Sequence, residues 1–361
     1  MSIPGDSRRG PDGAEFGRPV PKSVDSPAEK PVEEPVEKSS GQARAEAAAR
    51  SGENTGENTG ERSGALPPSG AATIVFHLGA PCTNEGLLAR SLRREGRALF
   101  ERGVFALRPG VYMERLTETL ERLDGAPAMP EDQEALLQLM AGNRPARRVL
   151  FSNSRFLGIP AWMFHKGIFY HNAARRAVGL RNLFPENDCE FCLAISNPAR
   201  FIPEVFATQS RKGYEEFMAG VDPLSVRWSS VIARLREACP DVPVIVWCDE
   251  DTPVIWGEVL ARVSGLATGI SPGAFDVFEQ VVTERGMQVL RAFLKKNPGL
   301  SLQGRHRAIY KVLERHARPG ALEVEIDLPG WNHVMVARMQ EIYDEDIGRI
   351  AAIEGVQLIA P

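Results

Sequence analysis

Four short turns gather the residues of this chain whose types and spacing suit chemistry. The first, FHLGAPCTNEGLL, carries Gly79, Pro81, Cys82, Thr83, Asn84, Glu85 and Gly86 behind an apolar, β-branched run. A glycine-bearing turn between a strand and a helix aims backbone N–H groups and hydroxyls at one spot, which is how an anion is cradled. Glu85 competes with that chemistry, because the first turn of a helix favours an anion by about 0.3–1 kcal/mol and this side chain can supply it. Thr83 or Asn84 can also cap the helix. Two readings therefore stand together: a capped structural turn without a ligand, and an anion loop working on backbone donors.

The second turn, ISNPARFIPE, places Arg200 four residues after Ser196, one helical turn on, where it either reaches an anion bidentately or lies solvated on the surface. In the third, VLFSNSRFLG, Ser154 offers a hydroxyl that is a poor base without a partner. His77, at the end of the first strand, and His165 or His171 are the alternative proton acceptors, each equally readable as a structural histidine. The fourth turn crowds Asp249, Glu250 and Asp251 together. That crowding reads as a metal site, or as capping by Asp251 or Thr252 with Pro253 at the first helical position; the second reading is adopted, so no metal is expected.

These turns need a scaffold, and the apolar pattern supplies one. Strands are expected over 72–79, 147–152, 189–196 and 242–248, with helices over 87–103, 201–209 and 253–265. From about residue 273 the pattern is helical, over 275–297, 304–318 and 331–353, before a terminal VQLIAP. Four strand-to-helix units favour a parallel sheet with helices on both faces, with ligands at the carboxyl ends of the strands. Cys189 and Cys192 form a C-x-x-C, but inside the apolar string CEFCLAI they read as part of a buried strand, not a zinc site.

Composition sets the outer bounds. The chain has 361 residues, 43 Lys and Arg against 47 Asp and Glu, and a net charge of -4, which argues against a strongly basic nucleic-acid binder. No uninterrupted apolar run is long enough to span a bilayer. The opening MSIPGDSRRGPDGAEFG lacks the apolar stretch of a secretory signal, so a cytoplasmic address with five free cysteines is expected. Residues 1–70 hold a single aromatic, Phe16, with proline-rich and GENTGENTGE repeats, and are expected to form a disordered tail. Residues 71–361 are expected to form one α/β domain.

The turns resemble those of the sulfotransferase family, a P-loop-type α/β fold. Its first turn has the form G-x-P-K-x-G-T-T, and Gly79, Ala80 and Pro81 fit it, while Cys82 stands at the lysine position and Asn84, Glu85 and Gly86 at the G-T-T positions. Its R-N-P-x-x-x-x-x-S turn is matched by Asn197 and Pro198, with Ser196 at the arginine position and Glu204 at the serine position. Its S-S-E turn resembles the segment carrying Ser154, which stands at the glutamate position, and its later acidic turn and closing helix resemble 246–266 and the segment around Tyr343 and Asp346.

The resemblance covers most of 72–361. It implies that 3'-phosphoadenosine 5'-phosphosulfate, or adenosine 3',5'-bisphosphate, would meet Gly79, Pro81, Cys82, Thr83, Asn84, Glu85, Gly86, Ser196 and Arg200. It also implies that His77 or Ser154 would stand in for the catalytic base. With the family's lysine, arginine and serine ligands replaced at Cys82, Ser196 and Glu204, only weak cofactor binding is expected. The chain then reads as a degenerate member that binds a glycan, small molecule or protein partner; the alternative is an active transferase moving a sulfuryl group to a hydroxyl. The basic pairs Arg93/Arg94, Arg147/Arg148 and Arg175/Arg176, and Arg305-His306-Arg307, read as helix surfaces laced with ion pairs.

Overall fold

The computed structural model describes residues 72–84, 86–266, 273–321, 326 and 328–361. The expected tail over 1–70 and the helix-entry role of Glu85 lie outside the described residues.

The apolar runs become six strands. In chain order the elements are β1 (Thr73–His77), α1 (Leu87–Arg93), α2 (Gly96–Glu101), β2 (Val104–Phe105), α3 (Met113–Leu123), α4 (Pro130–Ala141), β3 (Arg148–Ser152), α5 (Ala173–Arg181), β4 (Cys189–Ile195) and α6 (Pro198–Ala207). Then come α7 (Tyr214–Met218), α8 (Trp228–Ala238), β5 (Val244–Cys248), α9 (Thr252–Ser264), α10 (Phe278–Val281), α11 (Glu284–Lys296), α12 (Leu302–His316), α13 (His333–Ala351) and β6 (Val356–Ile359). All pairings are parallel, in the order β2-β3-β1-β4-β5-β6. The expected α/β architecture with a parallel sheet is therefore present.

The sequence expectations are corrected in several places. The helix expected over 87–103 is two short ones, because Gly96, the weakest helix former after proline, opens α2 beyond the turn at Arg94 and Glu95. Two strands were not anticipated: β2 has two residues, too few to show a period, and the terminal VQLI pairs with β5 as an edge strand beyond the helical stretch. Helices α3, α4, α5, α7 and α8 likewise have no counterpart in the units read from the sequence, and the helix expected over 275–297 is broken at Val282 into α10 and α11.

Side chains alternate along each strand, so both faces of the sheet become core. Ile74, Phe76, Phe151, Phe191, Leu193 and Val246 pack on one face. Val75, Leu150, Cys192, Ile245 and Trp247 pack on the other, against residues of α1 and α9 such as Leu88 and Val259. The Cys189 and Cys192 thiols are buried in β4 and pushed up to about 12 by desolvation, which fits the reading of this C-x-x-C as strand core. Near the amino ends of the strands, Arg148 and Arg262 both reach the Glu190 carboxylate. Arg148 is thus a mostly buried tie between β3, β4 and α9, not the surface residue its basic neighbourhood suggested.

The chain leaves β1 toward β2 and β3, then crosses to take up β4 on the opposite side. In an open parallel sheet such a reversal of direction opens a crevice at the carboxyl ends of the strands. The turns after β1, β4 and β5 meet there.

Candidate functional site

The turn after β1 is held by strand-like bonds. Leu78 N–H donates to Cys192 O at 2.8 Å, Ala194 N–H to Gly79 O at 2.7 Å, and Ala80 N–H to Ala194 O at 3.0 Å. The Ala80 donor is thereby committed to β4 and not turned toward a ligand. Gly79 has φ +101°, and a Cβ there would lie 2.6 Å from the Ser154 Cα, so this turn presses on the one that follows β3. Cys82 and Asn84 also take positive φ values, 62° and 51°.

The expected caps of the first helix are not formed. Gly86 stands at the N-cap of α1 with no side-chain cap bond. Thr83 Oγ1 instead donates back to Ala80 O at 2.6 Å. Asn84 reaches across the crevice, its amide donating to Asp249 Oδ1 at 2.7 Å and to Thr252 Oγ1 at 3.1 Å. The helix itself has only seven residues, so its dipole offers little for an anion.

The turn after β4 is occupied by the chain's own carboxylate. Glu250 Oε1 accepts hydrogen bonds from Ser196 Oγ at 3.0 Å and from Asn197 N–H at 2.6 Å, and its Oε2 accepts one from Tyr343 OH at 3.3 Å. Asn197 caps α6 by accepting from Ala199 N–H at 2.9 Å, while its amide donates to Gln340 Oε1 of α13 at 2.5 Å. Arg200 donates to Glu204 at 2.8 Å, with Asp249 Oδ2 4.0 Å away. It is neither a free surface arginine nor an available anion ligand.

Acidic groups dominate the mouth that results. Burial, with the neighbouring Glu250 charge added, pushes the Asp249 carboxyl up to about 7 against the opposing pull of Arg200 and the Asn84 bond. Asp251 sits at the N-cap of α9 with no side-chain cap bond, so the expected cap is not formed, and Pro253 is the second helical residue, not the first. Among the described residues, no group of three or more His, Cys, Asp or Glu is placed to hold a metal ion. None of the described helices is long and apolar enough to cross a membrane.

The two residues expected to act as base are both covered to some degree. His77 is buried, stacks on Trp247 with ring centroids 5.7 Å apart, and shares a hydrogen bond between its Nδ1 and Ser152 Oγ at 2.8 Å. Desolvation lowers its pKa to about 4, so the imidazole is neutral, and its Nε2 is buried without a hydrogen-bond partner among the described residues. Ser152 continues the chain of polar contacts: its N–H donates to Tyr112 OH at 2.7 Å, and that hydroxyl donates to Ser152 O at 3.0 Å. Ser154 is half-buried under Gly79, while the His77 ring bonds Ser152 in its place.

Tyr112, Ser152 and Gln340 escaped the sequence reading, and Glu250 was read there only as one member of an acidic turn. Ser196 and Glu250 are 54 residues apart in sequence, and only the pairing of β4 with β5 brings their turns side by side. No protein-family model and no curated protein matches this chain.

Proposed function

We propose that this chain is a sulfotransferase-like protein whose nucleotide crevice is closed by its own carboxylates, and that it acts as a binding or accessory protein rather than a transferase. The observation that carries the reading is Glu250. It takes up Ser196 Oγ, which stands at the family's phosphate-binding arginine position, together with the adjoining Asn197 N–H. A phosphate entering there would have to displace a hydrogen-bonded carboxylate and then sit beside its charge; like-charge juxtaposition in such a site costs several kcal/mol.

The position of β1 between β3 and β4 supports the family-like fold, since it sets the glycine turn at the point where strand order reverses. The commitment of Ala80 N–H to β4, the pairing of Arg200 with Glu204 and the lack of a lysine at Cys82 support the loss of cofactor binding. A neutral, buried His77 engaged with Ser152 is a poor candidate to take a proton from an acceptor hydroxyl, which must lie within hydrogen-bond reach of its base.

The reading is tested by incubating the full chain with 3'-phosphoadenosine 5'-phosphosulfate and a panel of phenols, sugars and amines, following formation of the bisphosphate. No formation above the protein-free control is expected. Acceptor-dependent turnover would overturn the reading in favour of an active transferase.

A further inference from the structure

Away from the closed crevice, a second concavity has the opposite electrostatic character. A cleft of about 420 Å³ runs between α3 and α5 and is floored by the turn after β3. A chamber of about 390 Å³ adjoins it, walled by Trp162, His165, Tyr170 and His171. Asn172 and Arg176 line both, so the two form one groove that meets at these residues.

The charges along this groove are unevenly matched. Arg175 is paired with Asp124 at 2.6 Å. Arg176 has a carbonyl, Phe156 O at 3.5 Å, and no carboxylate partner among the described residues. Arg155 lines the same cleft, its side chain without an ion pair among the described residues, and Lys212 lies over the Trp162 ring at 4.0 Å. Desolvation, with the neighbouring Arg175 added, lowers the Arg176 pKa from its ordinary value. Glu121 is the remaining acid of the cleft, and none lines the aromatic chamber.

A guanidinium in a fork geometry binds carboxylate, sulfate or phosphate oxygens two at a time, and an aromatic-walled chamber takes a flat or apolar body. We propose that this groove binds a small organic anion, its single acidic group seated on Arg176 and its aromatic or apolar body lying in the chamber beside Trp162 and Tyr170. The proposal rests on the binding-protein reading and supplies it with a ligand class. It needs no part of the nucleotide crevice.

The experiment is calorimetric titration of the full chain with four probes: 2-naphthyl sulfate, 2-naphthoate, neutral 2-naphthylmethanol and inorganic sulfate. The two aromatic anions are expected to bind below millimolar concentration. The neutral ring and the bare sulfate should each be weaker by about tenfold or more, a factor equivalent to about 1.4 kcal/mol. Arg176→Gln should abolish the preference for anions and leave the weak binding of 2-naphthylmethanol unchanged, while Trp162→Ala should weaken both aromatic anions. Preference for the sulfate over the carboxylate, or the reverse, identifies which acid the natural ligand carries.

Equal affinity for the neutral and anionic rings, an Arg176→Gln variant that binds the anions as the parent does, or no binding of either aromatic anion at millimolar concentration would overturn the proposal. Turnover of the phosphosulfate donor would overturn the binding-protein reading alone, so the two failures are separable.

Discussion

The crevice at the ends of β1, β4 and β5 and the groove between α3 and α5 treat charge in opposite ways. In the crevice, Ser196 Oγ, Asn197 N–H and Arg200 each meet a carboxylate of the chain itself. In the groove, Arg176 has only a long contact to a carbonyl among the described residues. A buried polar group left unpaired costs about 1–3 kcal/mol, and in the crevice the chain's own carboxylates meet that need. An internally filled site is therefore read from its hydrogen bonds, whereas an open one is read from charges with nothing to do.

The two regions should respond differently to the same kinds of change. The largest contrast is between glycines. Gly79→Ala should destabilise by about 3 kcal/mol or more, since its φ of +101° strains any side chain and the new Cβ meets the Ser154 backbone. Gly125→Ala, on the cleft wall, carries the strain of a positive φ without any such collision and should cost no more than half as much. Urea denaturation of both variants gives the comparison, and equal losses would break it.

Next comes Glu250→Ala, which takes the acceptor from Ser196 Oγ and Asn197 N–H and should cost about 1–3 kcal/mol at neutral pH. Part of that loss is offset because the Asp249 carboxyl is relieved of a like charge. A urea midpoint indistinguishable from that of the parent would mean that water serves these donors as well as Glu250 does.

The pH response sharpens the same point. The Asp249 carboxyl titrates near 7 in the folded protein, above its unfolded value, so the folded state holds the extra proton between those limits. Its contribution to stability is present below about pH 4 and is lost as pH rises through about 7. Asp249→Asn should therefore raise Tm at pH 8 relative to the parent, with the gain shrinking toward pH 5. A gain that grows on acidification would contradict the assigned shift. His77 works in the reverse sense: with a folded value near 4, its contribution is present above about pH 6.5 and is lost as pH falls through 4.

The smallest effect belongs to the groove. Arg176→Gln should leave the urea midpoint essentially unchanged, because it removes only a 3.5 Å contact to a carbonyl at an exposed position. A loss as large as that of Glu250→Ala would show that Arg176 is a structural tie, like Arg148.

Much of the fold was legible because β-branched runs such as TIVFH and VIVWC carry their own signal, and their burial on both faces follows from parallel pairing. The two-residue β2 and the terminal β6 were not, since neither is long enough to show a period without its neighbour. At the site, the residue types of Ser196, Asn197 and the acidic turn were visible in sequence. What they do was not: Glu250 pairs with a turn 54 residues away, and Asn84 with Asp249 165 residues away, contacts that only strand order creates. The caps expected from Thr83 and Asn84 failed because positive φ at Cys82 and Asn84 redirects both side chains.

The most direct test of the filled crevice is a pair of calorimetric titrations with adenosine 3',5'-bisphosphate, one on the parent chain and one on Glu250→Gln, which keeps an acceptor for Ser196 and Asn197 but removes the charge. The parent should bind no tighter than about millimolar, near -4 kcal/mol, and the variant should bind more tightly by about threefold or more. Micromolar binding by the parent, or no gain in the variant, would contradict the account.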